Sequence, residues 1–554
     1  MNDEKVWYKS WPKGVKKNLE YPEIELHKLF EKTVHRNYNR TYLSLMGIEW
    51  TFGEINDTAD RIAAALKDLG IIKGDHIGIF MPNIPQFVMA FFGILKAGAV
   101  VVPISPIYGN EDLAQAVKNS KIKAIFALDF LYENIQNALA EDEQPKIKIL
   151  TSLGDLLSPI KRFLAKLIRK IPPAPDVPDA IGLYDLIEKY EPLKNSMDCD
   201  PKTDVAVIGY TGGTTGTPKG AMLTHHNLVS NLIQAREWSA VAHPDDSHKG
   251  FVGAVPFFHI IGLTAVMLVA FYYESTVYLV PNPREFESIL KLIEKNQISY
   301  FHGVPTLFRA LLNLPKFDKY DLTSLEIVFS GAAPLPDDIA NKMEQKTGCM
   351  MIEAYGMTET SPMVAANPFE RDNRKLGSIG IPFPDTDFKI ISLESDEEVT
   401  HGENGEVVIK GPQVMKGYWK KPTETAETLM DGWIHTGDIG YMDEDGFVFL
   451  VNRKKDMINV SGYKVFPKEI EGTLITEFSQ IDELAIVGTP DDYSGEAVKL
   501  FLSLSPNESL SEAEIIAFFE QRFAKYKRPK YIEFLDELPK TGVGKVDRKR
   551  LREM

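Results

Sequence analysis

The sequence predicts an α/β protein with mostly parallel sheets, divided into more than one domain. From residue 25 to about 129, and again from 251 to 353, short apolar runs alternate with helical segments. This alternation indicates parallel strands joined by helical crossovers. After Gly377 the apolar runs are separated by tight turns, which favours antiparallel pairing. The chain has 554 residues, whereas a single hydrophobic core stops growing at roughly 250–300.

The predicted elements follow this division along the chain. In the first stretch, helices are expected at 52–69 and 86–96 and strands at 76–81, 100–104 and 124–128. In the second, a helix is expected at 285–295 and strands at 251–256, 276–280, 299–302, 326–330 and 350–353. Strands at 388–392, 406–410 and 447–451 predict a small antiparallel or barrel-like region. A last αβ unit from about 456 is expected to have strands at 483–487, 498–502 and 531–534.

Charge and composition exclude several classes of protein. The net charge of -16 argues against a general nucleic-acid binder, which needs a basic face. Only Cys199 and Cys349 are present, so neither a disulfide scaffold nor a thiolate zinc site is expected, and a reducing compartment fits. The N-terminus lacks the apolar core of a signal peptide. The apolar runs at 87–95, ended by Lys96, and at 264–273 fall short of the ~20 residues that span a bilayer. We therefore expect a cytoplasmic protein.

One segment, PIKRFLAKLIRKI at 159–171, is basic, contains no acidic residue and places its apolar residues on one helical face. A helix of this kind can lie on an anionic membrane surface. An ordinary surface helix docked on the sheet explains the pattern equally well. Peripheral contact with the inner membrane surface and a docked helix therefore both remain open.

A stretch rich in glycine and threonine, YTGGTTGTPKG at 210–220, follows a predicted buried strand. Thr224 is predicted to cap a helix that begins at about residue 225. A loop between a strand and a helix offers backbone N–H groups, hydroxyls and the Lys219 cation, which together can hold a phosphate chain. The loop is not of the Walker A type, because Pro218-Lys219-Gly220 stands where that motif has Gly-Lys-Ser/Thr. A flexible surface turn is the less favoured alternative.

This stretch resembles the phosphate loop of the adenylate-forming superfamily, which comprises acyl- and aryl-CoA synthetases, firefly-type luciferases and the adenylation domains of peptide synthetases. Other stretches resemble further signatures of that superfamily in the expected order: GAAP at 331–334, YGMTET at 355–360, TGD at 436–438, NRKKDMINVSGYK at 452–464 and PKTGVGKVDR at 539–548. The resemblance extends from about residue 25 to 551. Within the superfamily the chain is most similar to medium- or long-chain fatty acyl-CoA synthetases.

The resemblance implies a two-step reaction that uses ATP, coenzyme A and Mg²⁺. A fatty-acid carboxylate first attacks the α-phosphate of ATP, which releases pyrophosphate and gives an acyl-adenylate. The CoA thiol then displaces AMP. Because negative charge develops on phosphate oxygens, catalysis is expected to rest on cations, N–H donors and Mg²⁺ rather than on a covalent protein nucleophile.

The resemblance also assigns roles to individual residues. Glu359 and Thr215 are expected to hold the Mg²⁺, Tyr355 to stack on adenine and Asp438 to accept hydrogen bonds from the ribose. Lys545 corresponds to the lysine that bridges the carboxylate and the α-phosphate. The residues expected to be catalytic are Lys545, Glu359, Thr215, Arg453 and His259. The residues expected to bind ATP or CoA are Thr211, Gly212, Gly213, Thr214, Thr215, Lys219, Gly331, Ala332, Ala333, Glu353, Ala354, Tyr355, Gly356, Thr358, Asp438, Arg453, Ser461, Gly462, Lys464 and Lys545.

The acyl pocket is expected from two further stretches, PFFHIIG at 256–262 and HGVPT at 302–306, which resemble the pocket wall of the family. The residues expected to line the substrate pocket are Phe258, His259, Gly262, Gly303 and Val304. His259 has a second interpretation as a hydrogen-bonded core histidine, since it lies on an apolar segment.

The architecture that the resemblance implies has a large N-terminal domain and a small mobile α+β domain. The first, 1–454, contains two α/β sheet subdomains and a small β-barrel-like subdomain at about 377–452. The second, 455–554, carries the adenylation lysine. Lys455 is the expected hinge for a swing that presents first Lys545 and then the loop from Ser461 to Lys464.

Three other functions are weighed against a fatty acyl-CoA synthetase. The first is an aryl- or short-chain acyl-CoA synthetase, and the second is an acyl-AMP ligase that loads a carrier protein. The third, a non-catalytic lipid-binding relative, is disfavoured by the presence of Lys219, Glu359, Asp438 and Lys545. The expected partners are a fatty acid, ATP and CoA, with no nucleic acid, and the expected assembly is a monomer or homodimer.

Overall fold

The computed structural model describes residues 5–156, 174–211, 218–240, 249–491, 493–540 and 546–554. These residues form two compact units. The first contains the described residues of Met1–Thr211, Pro218–Asp387 and Lys410–Leu429, and the second contains Phe388–Ile409 and those of Met430–Met554. The predicted domain boundary at residue 455 stays a prediction.

The strands are β1 (Thr41–Leu45), β2 (Ile48–Thr51), β3 (His76–Phe80), β4 (Val100–Pro103), β5 (Ala124–Leu128), β6 (Ile147–Thr151), β7 (Ile181–Gly182), β8 (Val205–Tyr210), β9 (Gly220–Thr224), β10 (Gly250–Gly253), β11 (Thr276–Leu279), β12 (Tyr300–Gly303), β13 (Ile327–Ser330), β14 (Met350–Gly356), β15 (Met363–Ala366), β16 (Ile381–Pro382), β17 (Asp387–Ile391), β18 (Gly405–Lys410), β19 (Gly417–Tyr418), β20 (Leu429–Met430), β21 (Trp433–Met442), β22 (Val448–Arg453), β23 (Ile458–Val460), β24 (Tyr463–Val465), β25 (Ile481–Asp491), β26 (Gly495–Leu504) and β27 (Tyr531–Phe534).

The α-helices are α1 (Leu26–Asn37), α2 (Phe52–Asp68), α3 (Pro85–Lys96), α4 (Asn110–Ser120), α5 (Tyr132–Ala138), α6 (Leu183–Lys189), α7 (His225–Ser239), α8 (Val269–Tyr272), α9 (Phe286–Asn296), α10 (Pro305–Leu312), α11 (Asp337–Thr347), α12 (Pro422–Thr428), α13 (Pro467–Glu477), α14 (Glu512–Arg522) and α15 (Arg548–Glu553). A π-helical segment, Ile261–Leu268, precedes α8. Among the described helices, none has the length and apolar character needed to cross a bilayer.

The first unit contains two large sheets, which confirms the predicted α/β class. A nine-stranded sheet has the order β16-β15-β14-β13-β12-β10-β11-β1-β2, and its central strands are parallel. An eight-stranded sheet has the order β19-β9-β8-β4-β3-β5-β6-β7 and is parallel from β8 to β7. The strands predicted at 76–81, 100–104, 124–128, 276–280, 299–302, 326–330 and 350–353 are all present, with ends shifted by a few residues.

Alternation along the central strands gives the nine-stranded sheet two different faces. Phe301 on β12 and Val328 on β13 point into a core that α9, α10 and α11 cover. Their neighbours Tyr300, His302 and Phe329 line a cavity instead. Because successive side chains of a strand point to opposite faces, one strand supplies both the core and the cavity.

The glycine-rich loop, predicted to lie between a strand and a helix, is followed by a second strand before the helix begins. Strand β9 follows residues 212–217 and pairs antiparallel with β8, with Tyr210 opposite Gly220. Helix α7 begins only after β9. Its predicted cap is confirmed, since the Thr224 hydroxyl accepts a hydrogen bond from the Asn227 N–H at 3.1 Å. The glycine-rich loop therefore lies between the two strands of a hairpin.

The second unit contains two smaller sheets. Strands β17, β18, β21 and β20, with β22 beside β21, form a five-stranded sheet whose pairs β18–β21 and β21–β22 are antiparallel. Strands β24, β23, β26 and β25, with β27 parallel to β26, form the other. A hydrophobic core that includes Ile470 of α13 and Phe519 of α14 packs against this second sheet. The antiparallel region and the last αβ unit thus agree with the prediction.

Lys96 marks the end of an apolar run in the sequence, yet it is only 1% exposed. Its ammonium group lies 2.7 Å from Oδ1 of Asp60 and 2.9 Å from Oε1 of Glu31. It also donates a hydrogen bond of 2.9 Å to the Asn56 side chain. These contacts join α1, α2 and α3 through one buried cation.

Replacing Lys96 with methionine should destabilise the first unit, because Asp60 would keep a buried charge without its partner. The loss in the free energy of unfolding should be about 3–5 kcal/mol, measured by urea denaturation. Lys67→Met on the exposed side of α2 is the matched control and should change stability by less than about 0.5 kcal/mol. Equal stability of the two variants would contradict this account of Lys96.

Candidate active site

Three of the predicted stretches meet at one edge of the nine-stranded sheet. Strands β12, β13 and β14 are parallel, with Gly303 paired to Ser330 and Ser330 paired to Glu353. Parallel strands end on the same side, so the residues that follow them are neighbours. The set brought together comprises Gly303, Val304, Gly331, Ala332, Ala333, Glu353, Ala354, Tyr355 and Gly356.

Glu353 is a buried carboxyl group in this edge. Its Oε1 accepts a hydrogen bond of 3.3 Å from the Leu335 N–H, whereas Oε2 has no partner among the residues that the structure describes. Burial raises the pKa of Glu353 to about 7. An N–H donor from a ligand would satisfy the vacant oxygen, since an unpaired buried acceptor is costly.

The turn after β14 depends on close backbone packing. A Cβ atom at Gly356 would lie 1.9 Å from the Pro362 carbonyl oxygen, so only glycine fits there. This contact folds the chain back at once, and Thr358–Thr360 forms a short 3-10 turn. Glu359 is thereby placed in a buried position, 7% exposed.

Tyr418 links Glu359 to Lys219. The Tyr418 hydroxyl donates a hydrogen bond of 2.7 Å to Oε1 of Glu359, and the Lys219 ammonium lies 5.0 Å from the centroid of the Tyr418 ring. Strand β19 pairs with β9, which places Tyr418 opposite Ala221 beside the glycine-rich loop. The Thr211 N–H donates to the Lys219 carbonyl at 2.9 Å and so closes the base of that loop.

The sequence analysis did not identify Tyr418. It is separated from Glu359 by 59 residues, and Gly417-Tyr418-Trp419 carries no local pattern that indicates a phosphate or metal site. The pairing of the two-residue strand β19 with β9, and a hydrogen bond of 2.8 Å from the Met415 N–H to the Glu359 carbonyl, bring the phenol to the carboxylate.

An apolar cavity lies within the first unit. Its walls include the cavity face of β10, β12 and β13, the end of α7 and one side of the π-helical segment. The residues Gly303, Gly331, Ala332, Ala354, Tyr355 and Gly356 also line it. The cavity therefore adjoins the carboxyl edge of the sheet.

Of the five predicted pocket residues, Gly303 lines this cavity, and Phe258, His259, Gly262 and Val304 do not appear among its lining residues. A Cβ atom at Gly262 would lie 2.1 Å from the Pro256 carbonyl oxygen, so Gly262 serves close backbone packing. Its neighbour Ile261 reaches the cavity. His259 is half-buried rather than a core residue. Sequence analysis missed most of the wall, including Trp238, Phe251, Tyr273 and Phe369.

In the second unit, Asp438 and Arg453 face each other across β21 and β22. Nε of Arg453 lies 2.6 Å from Oδ1 of Asp438, a carboxylate that is 3% exposed. The Thr436 hydroxyl accepts from the Asp438 N–H at 3.0 Å and donates to the Val407 carbonyl at 2.6 Å. The TGD motif thus lies inside a strand, and its carboxylate is held in a fixed position.

The residues expected to guide coenzyme A follow in the same unit. Ser461 and Gly462 have φ of 51° and 88° and form the turn between β23 and β24, where two positive φ values suit a tight hairpin. Lys464 forms an ion pair of 2.9 Å with Glu394. Burial lowers the pKa of Lys455, the expected hinge residue.

Several predicted residues lie outside the part of the chain that the structure describes. They are Gly212, Gly213, Thr214 and Thr215 of the glycine-rich loop, Lys545, and the basic segment 159–171.

Comparison with known proteins agrees with this geometry. Residues 30–419 match the AMP-binding enzyme family, and residues 469–545 match its C-terminal domain. The long-chain-fatty-acid–CoA ligase of Bacillus subtilis is 38% identical over 557 residues, covering 100% of this chain and 98% of the relative. The ligase of the same name from Salmonella typhimurium is 38% identical, and the match covers 99% of this chain and 98% of the relative. A probable 4-coumarate–CoA ligase of Dictyostelium discoideum is 32% identical, and the match covers 97% of this chain and 96% of the relative.

Solved structures show the same fold. The anthranilate CoA ligase AuaEII in complex with anthranoyl-AMP is similar with a TM-score of 0.81 and 26% identity, covering 96% of this chain and 97% of that one. ATP-bound MatB from Rhodopseudomonas palustris is similar with a TM-score of 0.81 and 27% identity, covering 96% of this chain and 99% of that one. The architecture, the sheet-edge residues and the matched sequence agree, and the chain belongs to the AMP-binding enzyme family.

Proposed function

We propose that this chain is an ATP-dependent fatty acyl-CoA synthetase. A fatty-acid carboxylate attacks the α-phosphate of ATP to give acyl-AMP and pyrophosphate, and the CoA thiol then gives acyl-CoA and AMP. The apolar cavity beside the carboxyl edge of the nine-stranded sheet is the observation that carries this proposal. Relatives named long-chain-fatty-acid–CoA ligase match the chain over its full length.

The nucleotide is proposed to bind where the sheet edge offers unsatisfied polar groups. The vacant Oε2 of Glu353 suits the exocyclic amine of adenine, and Tyr355 offers an aromatic face. Asp438, with Arg453 beside it, is proposed to accept hydrogen bonds from the ribose hydroxyls. Thr211, Thr358, Lys219 and the glycine-rich loop are proposed to hold the phosphates.

Glu359 fits a Mg²⁺ ligand, because a hard cation binds carboxylate oxygens and this carboxylate is held by the Tyr418 hydroxyl. Thr215 is proposed as the second protein ligand. When bound, Mg²⁺ supplies positive charge that stabilises the phosphate oxygens. Lys219, whose ammonium lies over the Tyr418 ring, is proposed to contribute a second cation.

The remaining roles concern residues 455–554, which are proposed to serve both half-reactions. We propose that residues 455–554 rotate about Lys455, so that Lys545 serves adenylation and Ser461, Gly462 and Lys464 serve thioester formation.

Peripheral membrane contact through 159–171, a cytoplasmic location and a monomeric or homodimeric state remain predictions. An aryl- or short-chain acyl-CoA synthetase and an acyl-AMP ligase for a carrier protein are the alternatives, and the 4-coumarate–CoA ligase relative favours the first of these.

A panel of carboxylic acids tests the proposed function. Pyrophosphate release should be fastest with medium- or long-chain fatty acids and should depend on ATP and Mg²⁺, with equal consumption of CoA. Faster turnover of an aromatic or short-chain acid would support the first alternative. Release of pyrophosphate without consumption of CoA would support loading of a carrier protein.

Lys545→Ala should abolish formation of acyl-AMP, since the variant lacks the cation proposed to bridge the carboxylate and the α-phosphate. Thioester formation from supplied acyl-AMP should be largely retained, because that step does not use Lys545. The two half-reactions are measured separately, with Lys549→Ala as the control. An equal loss in both half-reactions would contradict this role.

Tyr418→Phe should weaken the use of Mg²⁺, because Glu359 would lose the hydrogen bond that orients its carboxylate. A hydrogen bond to a charged group contributes about 1.5–3 kcal/mol, so the Mg²⁺ concentration for half-maximal adenylation should rise about tenfold or more. Tyr21→Phe is the matched control, since its hydroxyl donates to Asp385 at 2.8 Å elsewhere in the first unit. A similar shift in both variants would argue for a general structural effect.

A further inference from the structure

The wall of the apolar cavity contains the buried imidazole of His302, in addition to the Trp238 indole and the Tyr273 and Tyr300 phenols. Burial lowers the pKa of His302 to about 3, so the ring is neutral at physiological pH. Its Nδ1 has no hydrogen-bond partner within the described part of the chain. A buried polar atom without a partner is uncommon and costs stability. His302 lines the cavity, so a bound molecule can supply the missing partner.

Neighbouring aromatic rings hold the imidazole in place. Phe329 on β13 stacks on it with a centroid distance of 4.3 Å and an interplanar angle of 16°. Phe251 on β10 lies nearly parallel to it at 6.0 Å and 14°. Since β12 runs between β10 and β13, the two rings flank His302 on opposite sides. The ring edge, which carries the nitrogens, is what remains for a ligand to contact.

We propose that His302 makes this site selective for fatty acids that carry a hydroxyl group on the chain. A neutral imidazole has one nitrogen that donates and one that accepts. A hydroxyl group can donate or accept, so it pairs with the ring edge in either tautomer. A plain methylene chain can do neither and leaves the imidazole unpaired. This inference rests on the proposed function and specifies its substrate class.

The position of His302 indicates which part of the chain carries the hydroxyl. Strand β12 ends at Gly303, at the carboxyl edge where adenylation is proposed. A parallel strand rises about 3.3 Å per residue, so His302 lies only about 3 Å from that end and Tyr300 about 10 Å from it. The hydroxyl is therefore expected nearer to the carboxylate than to the methyl end.

The test compares hexadecanoic acid with a positional series of its monohydroxy isomers, by pyrophosphate release and by direct binding without ATP. Trp238 lines the cavity, so binding is followed by tryptophan fluorescence, with Trp238→Phe as the blank. One isomer should exceed the plain acid in kcat/KM and in affinity by about 10- to 100-fold. His302→Phe should bring the ratio of the values for the hydroxy acid to those for the plain acid close to one, partly by improving use of the plain acid.

Two further variants separate hydrogen bonding from packing. His302→Asn keeps a donor and an acceptor and should retain part of the preference. Ile261→Ala alters the same wall away from the rings that stack on His302, and should lower both activities while leaving their ratio unchanged. The inference is overturned if no isomer binds better than hexadecanoic acid, if an aromatic acid binds best, or if His302→Phe leaves the ratio unchanged. Preferential binding of a hydroxy acid without any pyrophosphate release would instead refute the proposed function and leave the inference standing.

Discussion

Parallel alignment of β10, β12, β13 and β14 is the constraint on which the candidate site depends. Because the strands share a direction, their carboxyl ends form a single edge, and chain segments around residues 303, 331 and 353 become neighbours. The same strands alternate their side chains between a helix-covered core and the cavity. Nucleotide and acyl chain are therefore proposed to meet where one sheet ends, and small shifts in register would disturb both.

Buried polar groups in the first unit differ in whether the protein itself satisfies them. Lys96 has two carboxylates and an amide around it, and its role is to join helices. Glu353 and His302 each keep an atom that no described residue pairs with, next to the cavity or the proposed adenine site. An unpaired buried atom costs stability in the free protein, and a ligand that pairs with it recovers that cost.

A hydrogen-bonded tyrosine and paired strands connect the segments proposed to hold the phosphates. Tyr418 orients Glu359 from a strand of two residues, and β9 links that strand to the hairpin that bears the glycine-rich loop. In the second unit, Asp438 is held in a comparable way by Arg453 and by the Thr436 hydroxyl. Each unit thus fixes its own carboxylate through contacts with residues of the same unit.

The sequence by itself determined the α/β class, most central strands, the Thr224 cap and membership of the family, because apolar periodicity, caps and short motifs are local properties of the chain. Only the tertiary structure decided that β9 separates the glycine-rich loop from α7, that Lys96 is buried, that Tyr418 contacts Glu359, and which side chains line the cavity. Each of these depends on pairing or packing between residues far apart in the chain. No local pattern encodes such contacts, since they form only when whole sheets align.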